Sequence, residues 1–318
     1  MWRALGRFVF AALAATLALP ATGERFSDWS TPVSLGATIN SAADDGGTFI
    51  SKVGLSLYFN SNRPGGFGGQ DIYVSRRASL RDAWGPPVNL GPTVNSAANE
   101  QTSAISPDGR RLYFASDRPG GFGGLDLYVS HRRNKRDDFG WGAPANMGTG
   151  VNTPEPEFVG VAFKDRAKQE ILYFARGAVG TRDLYVSIRE RDGIFGAAVP
   201  IVELNGASDD ARSTVRRDGL EMFFDSNRAG TQGALDIWVT TRARPWHAWS
   251  PPVNVTSLNS SALDARPSLS HDGRTIYFHS GRPGVLGVND IFVSTRTKLR
   301  GHKRHDDDDH DHDDDSDD

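Results

Sequence analysis

The amino-acid sequence predicts an all-β protein, a five-bladed β-propeller built from four-stranded antiparallel blades. Five copies of one unit fill most of the chain, and equivalent Asp residues recur every 53–57 residues. An Asn precedes each of these Asp residues by 31 residues in all five copies. A period near 50 residues with short strands and turn signals is typical of propellers. The two series are Asn40, Asn95, Asn152, Asn205 and Asn259, and Asp71, Asp126, Asp183, Asp236 and Asp290.

Each repeat supplies four short strands in the same order. The first strand follows the Asn, as in 101–106, and ends in a turn such as Ser106-Pro107-Asp108-Gly109, in which Gly accepts a positive φ. The second strand is Leu-Tyr-Phe or a variant of it, with apolar and aromatic side chains. A Gly-rich loop then leads to the third strand, Asp-Ile-Tyr-Val-Ser or Asp-Leu-Tyr-Val-Ser. The fourth strand has the pattern W-x-x-P-x-x-L, as in 84–90.

The fourth-strand pattern also predicts how the ring closes. It occurs once before the first repeat, at 29–35, and is missing after the fifth. We therefore expect the N-terminal segment to provide the outer strand of the last blade, beside the third strand at 291–294. Closure of this kind protects two sheet edges that would otherwise be open to aggregation. The predicted propeller covers residues 27–296.

The N-terminus has the pattern of a secretory signal. Arg3 and Arg7 form a positive region, and an apolar stretch from Phe8 to Leu19 follows before small residues up to Gly23. The stretch is shorter than the ~20 residues that a membrane-spanning helix needs. We expect residues 1–23 to be a cleaved signal peptide, no transmembrane anchor afterwards, and a periplasmic or secreted protein.

Charge is concentrated at the C-terminus. The net charge is −3, but residues 301–318 contain ten Asp, one Lys and one Arg, so the rest of the mature chain is close to neutral. This excludes a basic nucleic-acid footprint. The absence of Cys excludes disulfides and thiol catalysis. We expect the tail to be disordered and solvated.

The tail is also the one place where the sequence suggests a cofactor. Imidazole and carboxylate groups together bind divalent metals, and the alternative is a solvated tail without a ligand. The candidate ligands are His302, His305, His310 and His312.

A carboxylate stands five residues after each repeated Asn, at the predicted start of the innermost strand. These acids are Asp45, Glu100, Glu157, Asp210 and Asp264. Arg63, Arg118, Arg228 and Arg282 lie in loops predicted on the same face. One interpretation is a set of ion pairs within the blades. The other is a ring of carboxylates at the channel mouth that binds a ligand or a partner.

Repeat three differs from the others, and repeats four and five carry two further cations. The loop after Leu-Tyr-Phe in repeat three is shortened and loses Ser-Asn-Arg, so we expect Glu157 to lack an Arg partner. Arg212 and Arg266 follow the acid by two residues in repeats four and five. They would make one side of the channel mouth positive and suited to a polar ligand.

A hydrolase with carboxylates at the central channel is the catalytic alternative. Glycosidases use two carboxyl groups, one as the general acid and the other as the base or nucleophile. The candidates are Asp45, Glu157 and Asp210. All five repeats share the acid, however, so the sequence marks no catalytic pair.

The repeat resembles a known family. The segments Ser-x-Asp-Gly-x-x-Leu-Tyr-Phe-x-Ser-[Asn/Asp]-Arg-Pro-Gly-Gly and Asp-[Ile/Leu]-Tyr-Val-Ser are similar to the TolB-type, WD40-like β-propeller repeat. The resemblance implies an exported protein that takes part in protein or cell-envelope interactions. We therefore predict a non-catalytic interaction module with a protein or envelope partner; the alternative is a carbohydrate-active hydrolase that binds a glycan.

Overall fold

The computed structural model describes residues 26–165 and 167–299. These residues form the predicted all-β propeller, with five antiparallel four-stranded blades and no helix among the described residues. The predicted signal peptide, 1–23, and the Asp/His-rich tail, 301–318, lie outside the described residues. In the described part of the chain, no helix is long and apolar enough to span a membrane.

The strands follow one another blade by blade. Strand β1 (Val33–Ser34) comes first in the chain but belongs to the last blade. Blade 1 consists of β2 (Asp45–Ile50), β3 (Ser56–Ser61), β4 (Asp71–Arg76) and β5 (Val88–Asn89). Blade 2 consists of β6 (Glu100–Ile105), β7 (Arg111–Ser116), β8 (Asp126–His131) and β9 (Ala145–Asn146). Blade 3 consists of β10 (Glu157–Lys164), β11 (Glu170–Arg176), β12 (Asp183–Ile188) and β13 (Val199–Pro200).

The last two blades complete the ring. Blade 4 consists of β14 (Asp210–Val215), β15 (Glu221–Ser226), β16 (Asp236–Thr241) and β17 (Val253–Asn254). Blade 5 consists of β18 (Asp264–Leu269), β19 (Thr275–Ser280), β20 (Asp290–Thr295) and β1. The first strands of the five blades, β2, β6, β10, β14 and β18, contact one another in a closed ring around the central axis.

The ring closes through the N-terminal strand, as the sequence predicts. Strand β1 pairs antiparallel with β20, with Val33 opposite Val293 and Ser34 opposite Phe292. The fourth strands are only two residues long. The rest of the W-x-x-P-x-x-L pattern therefore serves as connection and packing surface rather than as a paired strand.

The second strand of each blade carries the core. The Tyr and Phe of Leu-Tyr-Phe are both buried, although successive side chains on a strand point to opposite faces. Both faces are covered because every blade packs between two neighbours, which explains the unbroken apolar run. The largest of these fully buried side chains are Tyr58, Phe59, Tyr113, Phe114, Tyr173, Phe174, Phe223, Phe224 and Phe278.

The repeated Asn residues join each blade to the one before it. The side chain of Asn95 accepts a hydrogen bond from the amide of Ile72 at 2.9 Å and donates one to its carbonyl at 3.0 Å. Asn40 makes the same pair of bonds with Ile291, which belongs to the last blade. The same residue type thus joins neighbouring blades and closes the ring.

Candidate functional site: the axial cluster

The five predicted acids begin the innermost strands, but they do not form a ring of free carboxylates. Each is 0% exposed, and each is in an ion pair with an Arg of its own blade. We call these pairs the Arg clasps. They are Arg63–Asp45 at 2.6 Å, Arg118–Glu100 at 2.9 Å, Arg176–Glu157 at 2.9 Å, Arg228–Asp210 at 2.5 Å and Arg282–Asp264 at 2.5 Å.

The expectation that Glu157 lacks an Arg partner is wrong. Arg176, at the end of β11, donates from Nε to Glu157 Oε1 at 2.9 Å and replaces the Arg that the shortened loop has lost. This clasp is nevertheless incompletely satisfied. Burial raises the pKa of Glu157 to about 7, against the opposing effects of Thr153 and Arg176. Its Oε2 has no hydrogen-bond partner among the described residues.

A β-bulge in each innermost strand determines what reaches the axis. Four of the five strands change register just after their second residue; in β10 the change falls one residue later. The third residue has a positive φ in four strands, at Gly47 (61°), Thr102 (40°), Arg212 (31°) and Arg266 (57°). This conformation is uncommon for residues with a Cβ and clusters at functional sites, and bulges re-aim side chains.

A second set of axial residues comes from the middle strands. The residue after Leu-Tyr-Phe reaches the innermost strand of the next blade. Asn60 Oδ1 accepts from the amide of Thr102 at 3.2 Å, and Asp225 Oδ1 accepts from the amide of Arg266 at 3.1 Å. His279 packs against Gly46, where a Cβ would overlap the imidazole.

Asp44, Gln70 and Asn289 form a polar rim at the mouth where the innermost strands begin. All three are partly exposed. Asp44 accepts from Asn289 Nδ2 at 2.8 Å and from Gln70 Nε2 at 3.1 Å. Asp44 thus bridges blades 1 and 5 through two uncharged amide side chains.

A buried ion pair lies beside this rim. Arg182, from the loop before β12, binds Asp209 in a forked contact, Nε to Oδ1 at 2.7 Å and Nη2 to Oδ2 at 2.5 Å. Arg182 and Arg212 both lie over the ring of Phe158, each 5.3 Å from its centroid. The pKa of Asp209 is lowered because its hydrogen bonds to Arg182 outweigh the effect of burial.

We give the name axial cluster to the twelve residues named at the end of this paragraph, which do not include the Arg clasps. Burial raises the pKa of Asp225 to about 7, although nearby Arg182 opposes the shift. Burial lowers the pKa of His279, and the charges of Arg266 and Arg182 lower it further. Arg182 belongs to blade 3 and His279 to blade 5, so their interaction crosses the axis. The members are Asp44, Asn60, Gln70, Thr102, Phe158, Arg182, Asp209, Arg212, Asp225, Arg266, His279 and Asn289.

Several polar atoms of the cluster have no partner among the described residues. They are Asp225 Oδ2, Arg212 Nε, Arg266 Nε and Nη1, both imidazole nitrogens of His279, and the hydroxyl of Thr102. Buried polar groups are normally hydrogen-bonded. The described residues therefore leave donors and acceptors of blades 2, 4 and 5 unsatisfied inside the ring.

The sequence placed two members of this cluster and missed the others. Arg212 and Arg266 occupy the third, positive-φ position of β14 and β18, and their role at the channel mouth stays a prediction. Asp44 and Asp209 each stand one residue before a predicted acid, and adjacent strand residues point to opposite sides. Asp225 and His279 occupy the one variable position of Leu-Tyr-Phe-x-Ser, which is Asn, Ala, Ala, Asp and His in the five repeats. That variation was the available signal.

No group of three or more potential metal ligands occurs in the described ranges 26–165 and 167–299. The predicted ligands His302, His305, His310 and His312 lie outside these ranges, so the tail metal site stays a prediction.

The fold is shared with solved structures, although no protein-family model and no curated protein matches the chain. A GH62 hydrolase in complex with xylotriose matches with a TM-score of 0.57 and 9% identity over 86% of this chain and 99% of that one. An α-L-arabinofuranosidase from Lactobacillus brevis matches with a TM-score of 0.56 and 15% identity over 82% and 92%. A putative TolB from Agrobacterium tumefaciens reaches a TM-score of 0.47 and 16% identity over 82% and 80%, which carries no argument for a TolB-type protein.

These comparisons correct the functional prediction. The similar structures are mainly glycoside hydrolases, which contradicts the expectation of a non-catalytic interaction module. Identities this low establish the common fold alone, and a propeller hosts many functions. The evidence for a function of this chain therefore lies in the residues of its own axial cluster.

Proposed function

We propose that the protein is a carbohydrate-active hydrolase whose catalytic groups lie in the axial cluster. The observation that carries the proposal is a pair of axial carboxylates, Asp44 and Asp225, that form no ion pair with an Arg side chain within the described residues. Arg266 connects them: its amide donates to Asp225, and while burial lowers the pKa of Arg266, the negative charge of Asp44 opposes that shift. Glycoside hydrolysis needs two such groups on either side of the bond that breaks.

Asp225 has the properties of the general acid. Its pKa of about 7 keeps the carboxyl group protonated up to neutral pH, as a proton donor to a leaving oxygen requires. Oδ1 is held by the amide of Arg266, so the partnerless Oδ2 carries the proton. Asp225 would then protonate the glycosidic oxygen as the bond to the departing sugar breaks.

Asp44 has the properties of the second carboxylate. It is partly exposed at the rim, where water and a sugar can reach it. The amides of Gln70 and Asn289 hold its two oxygens in place. As the base it would activate a water molecule; as the nucleophile it would attack the anomeric carbon directly.

Three further side chains fit a polyhydroxylated ligand. Arg212 and Arg266 have unpartnered N–H groups, and His279 has one donor and one acceptor without a partner among the described residues. The lowered pKa keeps His279 neutral, so it can both donate to and accept from a hydroxyl. Sugar hydroxyls need such mixed partners.

The similar structures suggest which substrates to test first. These structures include arabinofuranosidases and an endo-arabinase, and complexes with xylotriose and cellotriose. Arabinose- and xylose-containing oligosaccharides are therefore the first candidates. Export through the predicted signal peptide would bring the enzyme to polymeric glycans in the periplasm or outside the cell.

The test is hydrolysis of nitrophenyl α-L-arabinofuranoside, arabinan and xylo-oligosaccharides by the wild type, Asp225→Asn and Asp44→Asn. We expect each variant to lose about 10²–10⁴-fold in kcat, the usual contribution of a general acid or base. The wild-type rate should fall as pH rises through about 7, because Asp225 loses its proton there.

Asp82→Asn is the matched control, since Asp82 is an exposed acid on an outer connection. It should leave the rate unchanged. Full activity in Asp225→Asn, or no hydrolysis of any glycan by the wild type, would overturn the proposal.

A further inference from the structure

The opposite mouth of the channel is a wide funnel. A cavity of about 1200 Å³ opens where the first and second strands of each blade meet in their hairpin turns. Its floor consists of residues from the innermost strands, including Phe49, Ile105, Val215 and Leu269. Its wall carries side chains from all five turns.

The funnel wall is strongly basic. Exposed cations come from four blades, and blade 5 contributes a half-exposed histidine. These residues are Lys52, Arg110, Lys135, Arg136, Lys164, Arg217 and His271. The pKa of His271 is lowered by burial and then by Lys52 and Arg217, while Asp272 opposes the shift.

The acids of the wall do not offset this charge. Asp138 is bound by Arg132 at 2.9 Å and by Arg76 at 2.8 Å, and Asp108 by Arg111 at 3.0 Å. Lys52, Lys164 and Arg217, in contrast, form no ion pair with any residue in the described ranges. The funnel therefore presents unneutralised cations around a concave space, which suits an extended polyanion narrow enough to enter.

The chain leaves the fold on this same face. Strand β20 ends at Thr295, opposite Thr275, next to the turn that contributes His271. Arg296 Nε donates to the carbonyl of Gly273 at 2.7 Å. The last described residues thus lie at the funnel end of the blade, two strand spacings (about 10 Å) from the innermost strand.

The segment that follows has the complementary charge and sufficient length. Residues 301–318 contain ten Asp against one Lys and one Arg. Residues 300 to 318 number 19, and a random coil of that length would have an end-to-end distance of about 24 Å. This exceeds the distance to the innermost strands, and a tethered segment has an effective concentration on the order of millimolar.

We propose that the Asp-rich segment 306–318 binds in the basic funnel of its own propeller. The tail would neutralise the cation ring, and any external polyanion would have to displace it. The proposal concerns the mouth opposite the axial carboxylates and does not depend on the hydrolase assignment.

The test uses the full chain, in which the absence of Cys allows spin labels at chosen sites. One label replaces Ser316→Cys in the tail. The second replaces Val53→Cys, which is 65% exposed on the funnel wall, or Val288→Cys, which is 69% exposed in a loop at the opposite mouth. Distances between the labels are measured by pulsed electron resonance at low salt and at 1 M salt.

We expect a narrow, short-distance population for the 53–316 pair at low salt. It should be lost at 1 M salt, where the screening length is about 3 Å, and in the triple variant Lys52→Ala, Lys164→Ala, Arg217→Ala. The triple variant Arg81→Ala, Arg191→Ala, Arg244→Ala removes the same charge from exposed positions outside the funnel and should keep it.

A free tail would behave in the opposite way. Salt would screen the repulsion between the Asp side chains of the tail and make the tail more compact. The distances between the labels at positions 53 and 316 would then shorten as the salt concentration rises. A broad distribution that shortens at high salt, or that responds equally to the two triple variants, would overturn the proposal.

Discussion

The Arg clasps and the axial cluster lie next to each other in the chain but differ in burial, in their partners and in how regularly they recur. Asp45 and Asp44 are adjacent, yet Asp45 is fully buried in a clasp while Asp44 lies at the rim with amide partners. The clasp recurs in all five blades. The cluster differs in every blade, and many of its polar atoms have no partner in the described part of the chain.

This difference separates the Arg clasps, which stabilise the blades, from the axial cluster, which the blades position. A buried carboxylate is costly unless it is paired and hydrogen-bonded, and every clasp pairs its carboxylate with an Arg of the same blade, through Nη2 in four blades and through Nε of Arg176 in blade 3. The cluster leaves polar groups unsatisfied inside a rigid ring. Such groups destabilise a scaffold and can serve a binding site, which is why we propose that the residues that vary between repeats carry the function.

The largest expected effect comes from breaking one clasp. Asp45→Ala leaves the guanidinium of Arg63 without its charged partner, and loss of one member of a buried pair costs about 3–5 kcal/mol. Asp44→Ala, one residue earlier, removes only bonds to two amides and should cost about 1 kcal/mol. Urea unfolding of both variants measures the contrast. Equal losses of stability would remove the distinction between clasp and cluster.

The next effect tests the packing between blades 5 and 1. A methyl group at position 46 would overlap the imidazole of His279, so Gly46→Ala should destabilise the protein by about 1–3 kcal/mol. The double variant with His279→Ala removes the overlap and should recover most of this loss. Additive effects in a thermal unfolding cycle would show that the two residues do not meet.

The smallest expected effect is a pH-dependent change in stability that distinguishes the Glu157 clasp from the other clasps. The folded-state pKa of Glu157 is about 7 against an ordinary value of 4.5. The folded state therefore holds the proton more tightly, and wild-type stability falls as pH rises between these values. Glu157→Gln removes this dependence and should gain about 1–2 kcal/mol over the wild type between pH 5 and pH 8.

Glu100→Gln is the matched control for that experiment. Both oxygens of Glu100 are engaged, by Ser96, Ser116 and Arg118, so the amide should destabilise at both pH values. A Glu157→Gln gain that does not depend on pH would contradict the assigned shift.

The fold could be predicted from the sequence because the residues that build each blade recur in every repeat. Repeated Asn and Leu-Tyr-Phe positions predicted the blades, and the displaced fourth strand predicted the closure between β1 and β20. The Arg partners of Asp45, Glu100, Asp210 and Asp264 followed from the same repetition. Arg176 was missed because it stands at a different position from the loop it replaces.

The site was harder to predict for a physical reason. The bulge at Arg212 and Arg266 is a backbone feature, and no residue motif marks it, since the same position holds Gly47 in β2 and Thr102 in β6. Asp225 and His279 stand where the motif allows any residue. The resemblance to TolB-type repeats rests on residues that build blades, which is why it misdirected the prediction of function.

Asp225→Asn tests the central claim most directly, because it separates stability from activity in one variant. Burial raises the pKa of Asp225 from 3.8 to about 7, so wild-type stability falls as pH rises through that window. The account predicts that Asp225→Asn unfolds no more easily than the wild type at pH 5, is more stable by about 1–3 kcal/mol at pH 8, and loses glycan hydrolysis. A destabilised variant that keeps full hydrolytic activity would contradict it and place Asp225 among the residues that build the blades.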